Sequence, residues 1–261
     1  MEVIIAATPE LVATTAADLV GRVLRDHPRP VLGLATGSSP VALYDELSRR
    51  VAAGRLTLAG ATAFTLDEYV GLEVGHPERY RTVIDRIFTE RVDIDPGRVH
   101  GPDGLAADIP AACADYERAI AAAGGVDLQI LGLGADGHIA FNEPGSSLAS
   151  RTRLKTLTAR TRADNARFFG GDPGAVPRHC LTQGVGTILE ARHLLVLATG
   201  EAKAEAVRSC VEGPVTAMCP ASALQLHPTV TVIVDEAAAG LLALRSYYEQ
   251  TYAAKPEWQR F

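Results

Sequence analysis

Long apolar runs are missing from this sequence. No stretch approaches the roughly 18 consecutive apolar residues that a bilayer-spanning helix needs, so no membrane partner is expected. Cysteine is scarce: the four are Cys113, Cys180, Cys210 and Cys219, and no two stand in C-x-x-C spacing. This predicts buried or partly buried thiols in a reducing cytosol, and a cytoplasmic protein, rather than a disulfide or zinc framework. A basic excess is also lacking. The formal net charge is −6, and Lys and Arg are scattered apart from one denser patch, RTRLKTLTARTR. A nucleic-acid binder would carry a basic patch or stripe, so no nucleic-acid partner is expected. The N-terminal MEVIIAATPELVATTAADLV has no basic region ahead of its apolar stretch, which argues against a signal peptide. No internal repeat, low-complexity tract or clear linker divides the chain. Only FFGGDPGAVPRH reads as a flexible segment, so residues 1–261 are read as one domain.

What the sequence does contain is a regular alternation. Short apolar runs recur at EVIIA, VLGLAT, TAFTLD, VDLQILGLG, HLLVLATG and VTVIVDE. Several are continuous rather than alternating, as strands buried on both faces are. Segments of helical period lie between them. In PERYRTVIDRIFTE, Tyr80, Val83, Ile84, Ile87 and Phe88 form one stripe. Near the C-terminus, Leu241, Leu244, Tyr248 and Tyr252 fall on one side. Thr8-Pro9 and Ser39-Pro40 each read as a cap residue followed by proline at the first helical position. The pattern predicts an α/β fold, with a mostly parallel sheet and helices on both faces.

Ligands of such sheets sit beyond the carboxyl ends of the strands, so the residues that follow each apolar run are the informative ones. They are Thr36-Gly37-Ser38-Ser39, Asp67-Glu68-Tyr69, Ala135-Asp136-Gly137-His138 and Gly200-Glu201-Ala202-Lys203. Gly132, Gly134 and Gly137 fit the dinucleotide pattern G-x-G-x-x-G, but that reading needs a helix to start at once. Pro144 and Gly145 interrupt any helix here, so the glycines are read as giving backbone freedom to a tight loop.

In TGSSP, a glycine, two hydroxyls and the free N–H groups of a helix over 40–52 could cradle a phosphate, or form a plain capped turn. Asp136 and His138, two apart in an extended stretch, could share a face. A carboxylate on one imidazole nitrogen fixes the tautomer and leaves the other for proton transfer. With Glu143 the same residues could instead be a polar surface loop, or offer three ligands to a metal. Asp67 ends an apolar strand, where an acid is costly to bury unless paired or used, although Asp67 or Glu68 could cap the next helix. Lys203 opposes the dipole of the helix it opens, which favours a nearby anion, yet a solvated lysine is common. Arg167 carries no local signal of its own.

Taken together, VLGLATGSSP, FTLDEYVGL, LGLGADGHIAFNEPGSSLASRTRLKTLT, CLTQGVGTIL and PASALQLHP resemble the glucosamine-6-phosphate deaminase family, in its order and over most of the chain. The resemblance implies a Rossmann-like parallel sheet. It also implies conversion of glucosamine 6-phosphate and water to fructose 6-phosphate and ammonia, in amino-sugar catabolism, with no redox cofactor and no catalytic metal. By position it makes Asp67 the base for enolisation, His138 the ring-opening residue, and Asp136 and Glu143 the carboxylate partners of that histidine. It assigns Thr36, Gly37, Ser38, Ser39, Arg167 and Lys203 to the substrate phosphate. It further implies a hexamer activated by N-acetylglucosamine 6-phosphate, with Ser146, Ser147, Arg153, Lys155 and Thr156 in the activator loop. Regulated members add a tyrosine from the C-terminal helix, where a simple count places Glu249. Two rivals share the fold: a 6-phosphogluconolactonase, which needs no enolising base, and a sugar-phosphate sensor without turnover. The presence of both LDEYVGL and GHIAFNEP favours the deaminase over either.

Overall fold

The computed structural model describes residues 1–261. From the N-terminus the elements are β1 (Glu2–Ala6), α1 (Pro9–Asp26), β2 (Val31–Leu34), α2 (Val41–Ala52), β3 (Thr62–Thr65) and β4 (Asp67–Tyr69). Then come α3 (Tyr80–Ile87), β5 (Val99–His100), α4 (Ile109–Ala122), β6 (Leu128–Gly132), β7 (Arg153–Thr156) and α5 (Ala159–Asn165). The chain finishes with β8 (His179–Thr182), α6 (Val185–Ile188), β9 (His193–Ala198), α7 (Ala204–Val211), β10 (Val230–Asp235) and α8 (Arg245–Ala253).

Seven strands form a sheet in the order β1-β10-β9-β6-β2-β3-β5, every pair parallel. The six apolar runs of the sequence supply six of these strands, and β5 adds a two-residue edge. Successive residues along a strand face opposite ways, and the core divides accordingly. Val31, Leu131, Val196 and Val232 join α4, α6 and α7 residues in one cluster. Leu32, Ile130, Leu197 and Ile233 join α1, α2 and α3 residues in the other. Both faces are therefore covered, which is why these strands read as continuous hydrophobic runs.

A second, three-stranded antiparallel sheet, β4-β8-β7, was not expected from the sequence. Its strands are short, and β7 alternates half-buried and exposed residues, so no continuous apolar run announces it.

Local signals hold in part. Thr8 caps α1, its hydroxyl accepting from Leu11 N–H at 3.3 Å, with Pro9 opening the helix. Ser39 does not cap α2: Pro40 occupies the cap position, and no side chain accepts from the first turn. The strand end before it is fixed instead by Tyr44, whose buried hydroxyl accepts from Ala35 N–H at 3.1 Å and donates to Ala35 C=O at 2.9 Å. In the C-terminal segment, Leu241 and Leu244 precede α8 and are exposed, while Tyr248 and Tyr252 pack against the core. The expected four-residue stripe is therefore only half formed. All four cysteines are free and buried, as their spacing predicted.

Candidate active site

The strand order reverses between β2 and β6. From β2 the chain runs outward through β3 and β5; from β6 it runs the other way through β9 and β10. Doubly wound sheets hold their ligands at such a switch point. The four polar segments singled out in the sequence follow β2, β3, β6 and β9, and these strands are adjacent in the order β9-β6-β2-β3. Only β2 separates β3 from β6, so the segments that carry Asp67 and His138 leave the sheet ~10 Å apart.

Several contacts tie the rim together. Gly132 at the end of β6 lies against Ser39, whose Cβ would be 3.7 Å from a methyl group placed there. Lys203 Nζ donates to Leu133 C=O at 2.7 Å. Phe141 N–H donates at 3.2 Å to the hydroxyl of Thr182, the residue opposite Asp67 in the β4–β8 ladder.

Asp67 heads β4 and is buried, 6% exposed. Its neighbour Glu68 points to the opposite face, and the two carboxylates have separate tasks. Glu68 accepts the N–H groups of Tyr80 (2.9 Å) and Arg81 (3.0 Å), the first two of α3, with Arg79 at 3.6 Å. It thus satisfies a helix start whose own cap residue offers no side-chain bond. Burial pushes the Glu68 carboxyl up, and these donors pull it back. Asp67 has no such help. Burial, and then the charge of Glu68, push its carboxyl up to about 8. Tyr69, Tyr80, Tyr116 and Cys180 all lie within electrostatic reach of it. The sequence pointed to Tyr69 as a rim residue but gave no sign that Tyr80, Tyr116 or Cys180 would come near Asp67; the only signal for Tyr69 was the two-residue phase that puts it on the same side as Asp67.

His138 and Asp136 form a pair at the end of β6. The Asp136 carboxylate lies 2.6 Å from His138 Nδ1 and also accepts the His138 N–H at 3.2 Å. Burial acts to raise Asp136, but the charge and hydrogen bonds of His138 outweigh it and hold the carboxyl below its usual range. With Nδ1 committed, Nε2 is the nitrogen left to meet a ligand.

The glycines of this loop are explained by the imidazole. A Cβ on Gly134 would stand 2.3 Å from the His138 ring, and Gly137 has a φ of 80° with Cys219 Sγ packed on it. No helix begins here; the next is α5. Beyond His138 the backbone turns sharply at Ala140, whose φ of 50° makes it the one non-glycine residue in the left-handed region, at a cost of about 1 kcal/mol.

Glu143 is not in hydrogen-bonding contact with His138. Its carboxylate is held by the hydroxyls of Thr158 and Thr161 at the start of α5, so the imidazole has one carboxylate partner rather than two. Asp136, His138 and Glu143 do not converge, and no group of three or more His, Cys, Asp or Glu side chains is gathered as a metal would require.

Thr36 and Ser39 are half-buried, and Gly37 and Ser38 are exposed. Gly37 has a φ of 97°, a conformation that favours glycine. Because Ser39 does not cap α2, its hydroxyl is not committed to the first turn of that helix. Burial lowers the Lys203 ammonium; Asp136 opposes this shift and Arg167 adds to it. Lys203 and Arg167 therefore face one neighbourhood, although 36 residues of chain separate them. Arg167 itself sits over the Phe168 ring at 4.7 Å.

The residues of the second candidate loop are less concentrated. Ser146 is buried, and its hydroxyl has no partner. Ser147 turns back on Ala149 N–H. Arg153 and Lys155 share one face of β7, and Thr156, on the other, meets His179 at 3.3 Å. Glu249 pairs with Arg245 within α8.

A seven-stranded parallel sheet with a polar rim at its switch point places the chain among the doubly wound α/β proteins. Residues 6–233 match the family described as glucosamine-6-phosphate isomerases/6-phosphogluconolactonase, and the chain belongs to this family. It stands with the glucosamine-6-phosphate deaminases within it. Those of Beutenbergia cavernae and Mycolicibacterium smegmatis are 64% and 65% identical to it, each over 99% of both chains. A solved monomeric glucosamine-6-phosphate deaminase is 41% identical, with a TM-score of 0.89 over 92% of this chain and all of its own. A 6-phosphogluconolactonase from Trypanosoma cruzi, 21% identical with a TM-score of 0.73 over 93% of this chain, shares the fold.

The setting of Asp67 fixes how stability depends on pH. Its folded carboxyl titrates at about 8 and its unfolded one near ~4. The native state therefore loses stability as pH rises from about 4 through about 8. Asp67→Asn removes that loss. Thermal denaturation over a pH series should find the variant more stable than the parent at pH 8, by a margin that shrinks toward pH 4. A margin independent of pH would contradict a buried, unpaired carboxylate.

Proposed function

We propose that the chain, acting as one unit over residues 1–261, converts glucosamine 6-phosphate and water to fructose 6-phosphate and ammonia, in the cytoplasmic breakdown of amino sugars. The single observation that carries this reading is the pairing of a buried carboxylate without a protein hydrogen-bond donor at Asp67 with an acid-oriented imidazole at His138, two strands apart on one rim.

Each group suits one step. The pyranose must open before C2 becomes acidic. Nε2 of His138 takes the proton of the C1 hydroxyl and returns one to the ring oxygen, while Asp136 holds the ring in place. In the open chain C2 lies next to the aldehyde, and the Asp67 carboxylate removes its proton to give an enol-amine. The same carboxyl then delivers that proton to C1, on the same face. C2 becomes an imine carbon, water adds to it, and the C–N bond breaks to release ammonia and leave the ketone.

A buried carboxylate without hydrogen bonds is a stronger base than a solvated one. The substrate's own ammonium, attached to C2, favours the ionised form when bound. Thr36, Gly37, Ser38 and Ser39 with Lys203 and Arg167 hold the phosphate at the far end, so the reacting carbons are fixed by contacts that take no part in the chemistry. Glu143, held by Thr158 and Thr161 at the start of α5, ties that helix to the loop that carries His138.

Regulation belongs to the same reading. Arg153 is half-buried with no carboxylate beside it, and Ser146 keeps an unpartnered hydroxyl. Together with Ser147, Lys155 and Thr156 they offer a second phosphate site, for which N-acetylglucosamine 6-phosphate is the proposed activator, acting on a hexamer.

Asp67→Asn should reduce ammonia release from glucosamine 6-phosphate by roughly 10²–10⁴-fold. It should also abolish exchange of the C2 hydrogen with deuterated water, while the sugar phosphate still binds. Normal turnover by this variant would remove Asp67 from the role of base. For regulation, N-acetylglucosamine 6-phosphate should shift the rate curve toward lower substrate concentration, and light scattering should give the mass of a hexamer. An unchanged curve together with a monomeric mass would overturn the regulatory part alone.

A further inference from the structure

Thr65 ends β3, and the chain leaves the parallel sheet there to place Asp67 at the head of β4. A carbonyl at such a departure point loses its strand partner and, when buried, must find another. Thr65 is buried. Its carbonyl accepts from the Tyr116 hydroxyl at 2.6 Å and from Gln183 Nε2 at 3.0 Å.

Gln183 holds more than that one group. Its backbone N–H donates to Leu66 C=O at 2.8 Å. Its own carbonyl accepts from Asn142 Nδ2 at 2.8 Å, and that same nitrogen donates to Ile139 C=O at 3.0 Å, closing the turn that follows His138. One residue therefore grips both residues that precede Asp67 and, through Asn142, the loop that carries His138. Gln183 is 1% exposed and Asn142 is fully buried. Burying an amide costs free energy that an aliphatic side chain of equal length would not incur, so packing alone does not account for glutamine at this position.

We propose that Gln183 is a positioning residue for the C2 proton transfer, a clamp that fixes the Asp67 strand relative to the His138 loop. This rests on the deaminase reading above. The proposed phosphate contacts come from the segments after β2 and β9 and from Arg167 just beyond α5, none of which bonds to Gln183, so loss of the clamp should appear in the chemical step and not in binding.

Two variants test this. Gln183→Met keeps length and volume and removes the side-chain donor. Tyr116→Phe removes the other donor to the same carbonyl. Steady-state kinetics of Gln183→Met should give a kcat lowered by about 10- to 100-fold, with KM for glucosamine 6-phosphate within about twofold of the parent value. C2 hydrogen exchange should fall in parallel with kcat. Tyr116→Phe should shift kcat in the same direction, and the double variant should lose more than the product of the two single losses, because either donor alone still satisfies the one acceptor and only the double variant leaves it unpaired. A parent-like kcat in a folded Gln183→Met, or a rise in KM that accounts for the whole loss, would overturn the clamp while leaving the deaminase reading intact. Should Gln183→Met not fold, a parent-like kcat in Tyr116→Phe would overturn it. An unmodified chain that releases no ammonia would sink the deaminase reading and the clamp together.

Discussion

A carboxylate taken out of water without a hydrogen-bond donor is the constraint on which the rest of this structure turns. Such a group is costly, and proteins place polar groups this way mainly where the cost serves a purpose. Its neighbour shows the ordinary solution. Glu68, one residue away and equally buried, receives three N–H groups and an arginine. Asp67 receives no such donor, and burial followed by the charge of Glu68 pushes its carboxyl up to about 8. Two adjacent acids on a three-residue strand thus divide into a structural anchor and the carboxylate proposed as base. The division follows from strand geometry, since successive side chains point to opposite faces.

The second requirement is delivery. One base cannot open a sugar ring and shift a proton between its carbons while also holding a phosphate. The parallel sheet meets this requirement through topology. Four strands whose sequence positions span most of the chain end side by side, so under the proposed reading each loop supplies one function and none must fold around the whole ligand. The short antiparallel sheet then braces the rim. Its middle strand, β8, faces Asp67 across one ladder and supports the imidazole loop through Thr182.

Much of this was legible in the sequence, and the reason is physical. Strands buried on both faces must be apolar throughout, so EVIIA and VTVIVDE announced themselves, and the polar residues after each run marked the rim. The antiparallel strands were invisible because both are four residues long, RLKT is only partly buried, and HCLT, though buried from Cys180 to Thr182, carries just two apolar residues. The ambiguity between Asp67 and Glu68 could not be resolved along the chain, because two of the three N–H donors that engage Glu68 come from α3, more than ten residues away. Glu143 was expected beside His138; the threonines that hold it come from α5, a partnership that sequence spacing does not encode. Ser39 read as a helix cap on local statistics, yet the turn is fixed by Tyr44, whose hydroxyl reaches back from inside the helix. In each case the missing information was a contact between segments.

The protonation state of Asp67 is measured directly by carbon-13 NMR of selectively labelled aspartate carboxyls. In the ligand-free protein one aspartate should titrate near pH 8, and its signal should be absent from Asp67→Asn. A spectrum in which every aspartate carboxyl has ionised by about pH 5 would show that Asp67 is solvated or paired, and the account of the site would fall with it.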